Sequence, residues 1–169
     1  NVLIACEESQ RVTTAFRERG FNAFSCDIIF CSGEHPEWHI QQDVTPLLNG
    51  SCEFTTCDGN IHKIDGKWDL IIAHPPCTYL CVGSACRLYP HKGVIDEKRY
   101  VEGLKAKEFF LAMLNADCEH IAVENPMPLK VFNLPQASQY IQPYEFDIFN
   151  EAGQEYKHLT SFIYLSSIY

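Results

Sequence analysis

The sequence predicts an α/β protein built on a mostly parallel sheet with helices on both faces. Leu70-Ile71-Ile72-Ala73 is a short, wholly apolar run, the pattern of a strand buried on both sides. The opening residues read strand, helix, strand, a β-α-β unit that makes neighbouring strands parallel. Acidic, proline or thiol residues stand just past several strand candidates, at the carboxyl edge where open α/β sheets bind ligands.

Taken in order, Val2-Leu3-Ile4-Ala5 is the first strand and Cys6-Glu7-Glu8 its exit. Ser9 is positioned to cap a helix in which Val12, Ala15 and Phe16 share a face, with Gly20 as its stop. Ala23-Phe24-Ser25-Cys26 is the second strand, closed by Asp27. An acid at that place, about 20 residues past the first turn, hydrogen-bonds ribose in nucleotide-binding sheets; a plain turn aspartate is the alternative. The first turn has no Gly-x-Gly-x-x-Gly fingerprint, which disfavours a dinucleotide and leaves room for a phosphate-free nucleoside.

Gly33 and Pro36 break the next stretch, and Asp43 follows a short strand at His39-Ile40-Gln41. Residues 52–65 alternate about Asp58-Gly59 and read as a small surface hairpin inserted before the central strand. Its Cys52, Cys57 and His62 lack a tight knuckle spacing, as do Cys77, Cys81, Cys86 and His91, so no metal site is expected.

The central strand ends abruptly at His74-Pro75-Pro76, because proline donates nothing to a ladder. Cys77 therefore sits on a stiff turn at the ligand-binding edge and reads as a nucleophile. The loop beyond it, with Cys81, Gly83, Cys86 and Pro90, is long enough to act as a lid. A helix over 96–115 follows, its core face Ala106, Phe110, Met113 and Leu114. His120-Ile121-Ala122-Val123 is another buried strand, and Glu124-Asn125-Pro126 brings a carboxyl to the same edge as Cys77. Further on, 135–141 reads as a short helix, 146–155 as a loop and 159–165 as a strand.

At 169 residues and 46% hydrophobic, the chain fits one globular domain, with no separate target-recognition domain. No apolar run approaches the ~20 residues of a membrane span, and the first residues do not resemble a signal peptide, so a cytoplasmic location is expected. Nine cysteines, an odd number, then read as reduced thiols mostly packed as small hydrophobes. The net charge of −9 opposes broad nucleic-acid affinity. A local basic rim at 87–107 (Arg87, Lys92, Lys98, Arg99, Lys105, Lys107) would serve DNA; an ordinary solvated helix face is the alternative.

Four of these features, in this order, resemble the cytosine carbon-5 DNA methyltransferase family, and the chain is especially similar to its small phage and prophage members. Pro75-Pro76-Cys77 resembles the family's Pro-Cys nucleophile motif, and Glu124-Asn125-Pro126 its Glu-Asn-Val motif. Asp27 matches the acid that binds the cofactor ribose and Asp43 the acid that contacts its adenine. The resemblance covers residues 2–126 and implies a Rossmann-like, S-adenosylmethionine-dependent methyltransferase sheet. It also implies catalysis by Cys77 and Glu124, with Pro76, Thr78 and Asn125 at the target base. Ala5, Cys6, Glu7, Asp27, Asp43, His74 and Pro75 would form the cofactor site. Thr78 stands where the family has Gln, Pro126 where Val is common, and Ala5-Cys6-Glu7-Glu8-Ser9 replaces the glycine-rich turn. No Gln-x-Arg-x-Arg follows residue 126, so a protein partner supplying target recognition is a further expectation.

In the reaction so implied, a thiolate adds to carbon 6 of cytosine and makes carbon 5 nucleophilic toward the methyl sulfonium. The carboxyl at 124 stabilises charge at ring nitrogen 3. Two other readings stay open: a Rossmann-like binding protein without catalysis, and an enzyme that uses Cys77 on a free pyrimidine nucleotide.

Overall fold

The computed structural model describes residues 1–142 and 161–167. Nine strands and three helices follow in chain order: β1 (Val2–Ala5), α1 (Arg11–Glu18), β2 (Ala23–Asp27), β3 (His39–Gln41), β4 (Cys52–Thr55), β5 (Ile61–Ile64), β6 (Leu70–Ala73), α2 (Ala85–Leu88), α3 (Glu97–Leu114), β7 (His120–Pro126), β8 (Gln139–Ile141) and β9 (Ser161–Ser167). Seven strands make one sheet in the order β3-β2-β1-β6-β7-β9-β8. The first five are parallel, and β9 runs antiparallel to both β7 and β8. The chain thus moves outward from β1 to β3, then crosses back to build from β6. The switch point lies between β1 and β6, where a doubly wound sheet opens a crevice.

Side chains alternate across each strand, and the two faces are covered differently. Leu3, Ala5, Ile71, Ala73, Ile121 and Val123 are buried in the main core, with Phe110 and Met113 of α3. Val2, Ile4 and Ala23 pack under α1 through Val12 and Phe16. In the row Ile72, Ala122, Leu165 on this second face, Leu165 is 49% exposed. Among the described residues, helix cover on both faces therefore holds only in part: α1 covers β1 and β2, with Leu70 of β6 packed against the same cluster, and leaves Leu165 of β9 exposed.

Helix α1 ends as its sequence predicts. Gly20 takes φ +83°, its amide donates to Arg17, and Phe21 donates back to Phe16. That pair of bonds satisfies the last carbonyls, and the Phe16 and Phe21 rings meet at 5.5 Å. Its start differs. Ser9 is not the cap; Gln10 occupies that position without a capping side chain, and Glu7 does the work instead. The Glu7 carboxylate accepts from the amides of Val12 (2.6 Å) and Thr13 (3.2 Å) and from the Thr13 hydroxyl (2.7 Å).

The hairpin forms where expected, β4 and β5 pairing about Gly59 at φ +88°. It is no surface appendage, however. Phe54 is buried against Phe24 (5.0 Å) and Trp68 (5.8 Å), and Trp68 donates to the Leu47 carbonyl at 2.8 Å. The hairpin closes one end of the main core, and His62 lies over Phe54 with its Nε2 3.1 Å from the Thr56 hydroxyl.

Two other expectations are corrected. Residues 139–141 form the edge strand β8, where a helix over 135–141 was predicted, because β9 offers a pairing partner. The segment after Cys77 is not a free lid: Leu80 and Leu88 are buried, and its backbone is tied to the chain beyond β7. Helix α3 and the strand reaching 165 stand as predicted, whereas the loop expected over 146–155 lies outside the described residues. No helix among the described residues is long and apolar enough to cross a membrane.

Candidate active site

Strand register alone assembles the edge. Ala5 pairs with both Cys26 and Ala73, and Ala73 pairs with Val123. One step further along each strand, Asp27, Cys6, His74 and Glu124 form a row across β2, β1, β6 and β7. The ladder continues past the strands: the His74 amide donates to the Ala5 carbonyl (2.9 Å) and the Glu7 amide to the Cys26 carbonyl (3.2 Å).

A cavity of about 180 Å³ opens beside this row, lined by Cys6, Asp27, Asp43 and Pro76 together with Cys26, Ile28, Gln42, Val44 and Phe109. Its wall is mostly apolar, with two carboxylates. Asp27 Oδ1 accepts from the Ile29 amide at 3.2 Å, which turns the chain sharply and leaves Ile28 73% exposed. Asp43 Oδ1 accepts from the Thr45 amide (2.8 Å) and hydroxyl (2.7 Å), and these bonds hold its carboxyl below the usual range. Burial, reinforced by Asp27 and Asp43, pushes the Cys6 thiol up to about 12, so it lines the cavity as a neutral S–H. Cys6 also takes φ +59°, a left-handed conformation that costs a non-glycine residue about 1 kcal/mol or more. A second cavity of about 310 Å³ lies across Cys6, lined by Glu7, Glu8, Ser9, Arg11, Val12 and His74.

Beyond β6, Pro75 is buried and Pro76 exposed, so the turn carries the chain from the core out past the cavity. Cys77 then opens a single helical turn, its carbonyl accepting from the amides of Leu80 (3.0 Å) and Cys81 (3.1 Å). An antiparallel bridge between Cys81 and Pro128 holds this turn against the segment after β7 through two bonds: Val82 donates to Met127 (2.8 Å), and Leu129 donates to Leu80 (2.7 Å). Arg99 braces the other side. Its guanidinium donates to the Thr78 carbonyl at 2.7 Å and lies 4.6 Å from the centre of the Tyr79 ring. The Cys77 thiol pKa is raised above its ordinary value by burial first, then by the neighbouring Cys81 and by Glu124.

Not every predicted contact is made by a side chain. The Glu7 carboxylate is committed to α1, so Glu7 contributes structure to the cofactor side and no free acceptor. Ala5 is buried and its carbonyl is taken by His74, so it too is a support. Asn125 is 0% exposed and, by alternation, faces away from Glu124, so it does not reach a target base. Its Nδ2 donates to the Pro126 carbonyl, while Oδ1 has no partner. His74 stands at the switch point with a buried, unpartnered Nε2. Thr78 is exposed beside the thiol.

Sequence reading missed Phe109, Ile28, Gln42, Val44 and Cys26. Ile28 and Val44 directly follow the two flagged aspartates, so their adjacency was a usable signal. Phe109 gave none: helical spacing puts Phe110 on the core face of α3 but does not say that its neighbour reaches the cavity. The basic rim is smaller than its composition: Arg99 is engaged in bracing the turn and Lys105 pairs with Glu102 at 2.7 Å. No family model matches the chain, and no curated protein or solved structure is significantly similar to it.

Proposed function

We propose that this chain transfers a methyl group from S-adenosylmethionine to carbon 5 of cytosine in DNA, through a covalent adduct at Cys77. One observation carries the reading: Cys77, just past the end of β6, and Glu124, within the adjacent parallel β7, stand at one edge of the sheet, where a cavity is lined by Asp27, Asp43 and Pro76. The sheet is compatible with the Rossmann-like class to which such enzymes belong.

The donor set of the cavity suits a nucleoside. Asp27 and Asp43 offer acceptors to hydroxyl and amino groups, while Ile28, Val44 and Phe109 offer apolar contact to a flat ring. S-adenosylmethionine would supply an electrophilic methyl carried on sulfur. The chain's own residues do the remainder. Cys77 passes its proton to solvent and adds as the thiolate to carbon 6 of the base; once carbon 5 has taken the methyl group, a base removes the carbon 5 proton and Cys77 leaves. Glu124 in its acid form donates toward ring nitrogen 3 and stabilises the charge that the attack creates. Pro75 and Pro76 fix the thiol's approach, and Arg99, holding Thr78, prevents the turn from swinging outward. Within a duplex, the target base must leave the stack to reach a thiol so placed.

The test is covalent trapping. Incubated with S-adenosylmethionine and a duplex containing 5-fluorocytosine, the chain should form a denaturant-stable adduct that Cys77→Ser abolishes. S-adenosylmethionine binding without an adduct would instead favour a binding protein, a reading supported by the raised pKa of Cys77, which leaves little thiolate at neutral pH. Methylation of a free pyrimidine nucleotide but not of DNA would move the substrate class.

A further inference from the structure

The geometry points to a second chemistry at the same turn. We propose that Cys77 and Cys81 form a dithiol modification site, which a low-molecular-weight disulfide converts to an intramolecular Cys77–Cys81 disulfide that withdraws the nucleophile. The bond follows from the turn itself; its effect on catalysis rests on the methyltransferase reading.

The amide of Cys81 donates to the carbonyl of Cys77, so the two residues are one helical turn apart and their side chains leave on the same face. That spacing puts the α-carbons about 6 Å apart, inside the span of roughly 4.4–6.8 Å that a disulfide bridges. Cys81 is also among the causes that raise the Cys77 pKa, as a close thiol neighbour would be. Both are half-exposed, whereas Leu80 between them is buried and pins the turn to the core. The bridge to Pro128, made by the bonds from Val82 to Met127 and from Leu129 to Leu80, fixes Cys81 against the β7 side of the site. Neither thiol therefore has to travel, which is what makes a resolving thiol effective over thiols elsewhere in the chain. Cys86 is exposed and five residues further on, outside this turn.

The step balances without any other reagent. The thiolate of one cysteine attacks the small disulfide, forming a mixed disulfide and releasing one small thiol. The thiolate of the second then attacks the protein sulfur of that mixed disulfide and expels the other small thiol. Two protein thiols are oxidised by two electrons in all, and the reagent is reduced to two thiols. Because burial, Cys81 and Glu124 all raise the Cys77 pKa, the exchange should quicken as pH rises.

The full chain, treated with oxidised glutathione, is alkylated with iodoacetamide and digested with trypsin. Peptide 68–87 holds Cys77, Cys81 and Cys86 and reports the outcome. Two hydrogens lost, with Cys86 alone alkylated or carrying glutathione, is the expected result, and Cys86→Ser should leave the bond intact. Cys81→Ser should abolish it and leave glutathione on Cys77. Alkylation or glutathione on both Cys77 and Cys81 of the wild type, or a bond to Cys86, would overturn the proposal. Trapping on 5-fluorocytosine DNA should be lost in the oxidised chain and return with dithiothreitol; an oxidised chain that still traps overturns the withdrawal of the nucleophile. If even the reduced chain traps nothing, the methyltransferase reading fails while the peptide result stands by itself.

Discussion

In the proposed reaction Glu124 would act on Cys77 with two opposed signs. Its charge is one of the causes that raise the thiol's pKa, whereas a proton donated to the base would stabilise what the thiolate makes. Glu124→Gln should therefore speed iodoacetamide labelling of Cys77 at neutral pH, while slowing trapping on 5-fluorocytosine DNA by about 10²-fold or more. Slower labelling together with unchanged trapping would remove Glu124 from both roles. The raised pKa also sets a pH dependence. Below it, the thiolate fraction grows about tenfold per pH unit, so labelling of Cys77 should still be rising at a pH where an ordinary exposed thiol has levelled off. On the cofactor side, Asp27→Ala should weaken S-adenosylmethionine binding about tenfold, the loss of roughly 1.5 kcal/mol for a charged hydrogen bond. Calorimetry checks it, with the circular dichroism spectrum unchanged.

Among the elements, two short-range devices carry more than their length suggests. Helix α1 has only eight residues and no capping side chain at its Gln10 boundary, so Glu7 supplies the acceptors for its first turn. Glu7→Ala should cost about 1–2 kcal/mol, in the range of other lost helix caps, and lower the melting temperature by a few degrees. Gly103, within α3, answers a different need. A β-carbon there would lie 2.1 Å from the Phe132 ring, which is itself buried and stacked on Tyr100 at 5.7 Å. In an exposed helix glycine-to-alanine gains about 1 kcal/mol. Here Gly103→Ala should instead destabilise by about 1–3 kcal/mol through overpacking. A melting temperature at or above that of the parent chain would show that the ring can yield.

For the whole molecule, charge would limit how the proposed DNA substrate is held. The net charge is −9, and of the six cations in 87–107, Arg99 and Lys105 are committed within the protein. Arg87, Lys92, Lys98 and Lys107 make no ion pair among the described residues and remain for phosphates. Each neutralised phosphate contributes about 0.9 to the salt slope, so log affinity against log salt should fall with a slope no steeper than about −4. Fluorescence anisotropy over a salt series measures it. A steeper slope would mean that cations outside 87–107, or a partner, hold the duplex.

The sequence by itself determined the strands and helices whose burial repeats at a fixed period, and the polar residues that end them. Val2–Ala5, Leu70–Ala73 and residues 97–114 bury enough apolar surface locally to declare themselves, with Asp27 closing β2 and Cys77 just past β6, whereas Glu124, expected beyond its strand, lies within β7, which pairing with β9 extends to Pro126. Tertiary structure decided what depends on a partner distant in sequence. Strand β8 exists because β9 pairs with it, and Phe109 rather than Phe110 reaches the cavity because the sheet lies on one side of α3. Glu7 became a helix cap, and Asn125 turned inward. Such assignments depend on which side of a strand or turn a group occupies, and a one-dimensional pattern records spacing along the chain without fixing the neighbour that folding supplies.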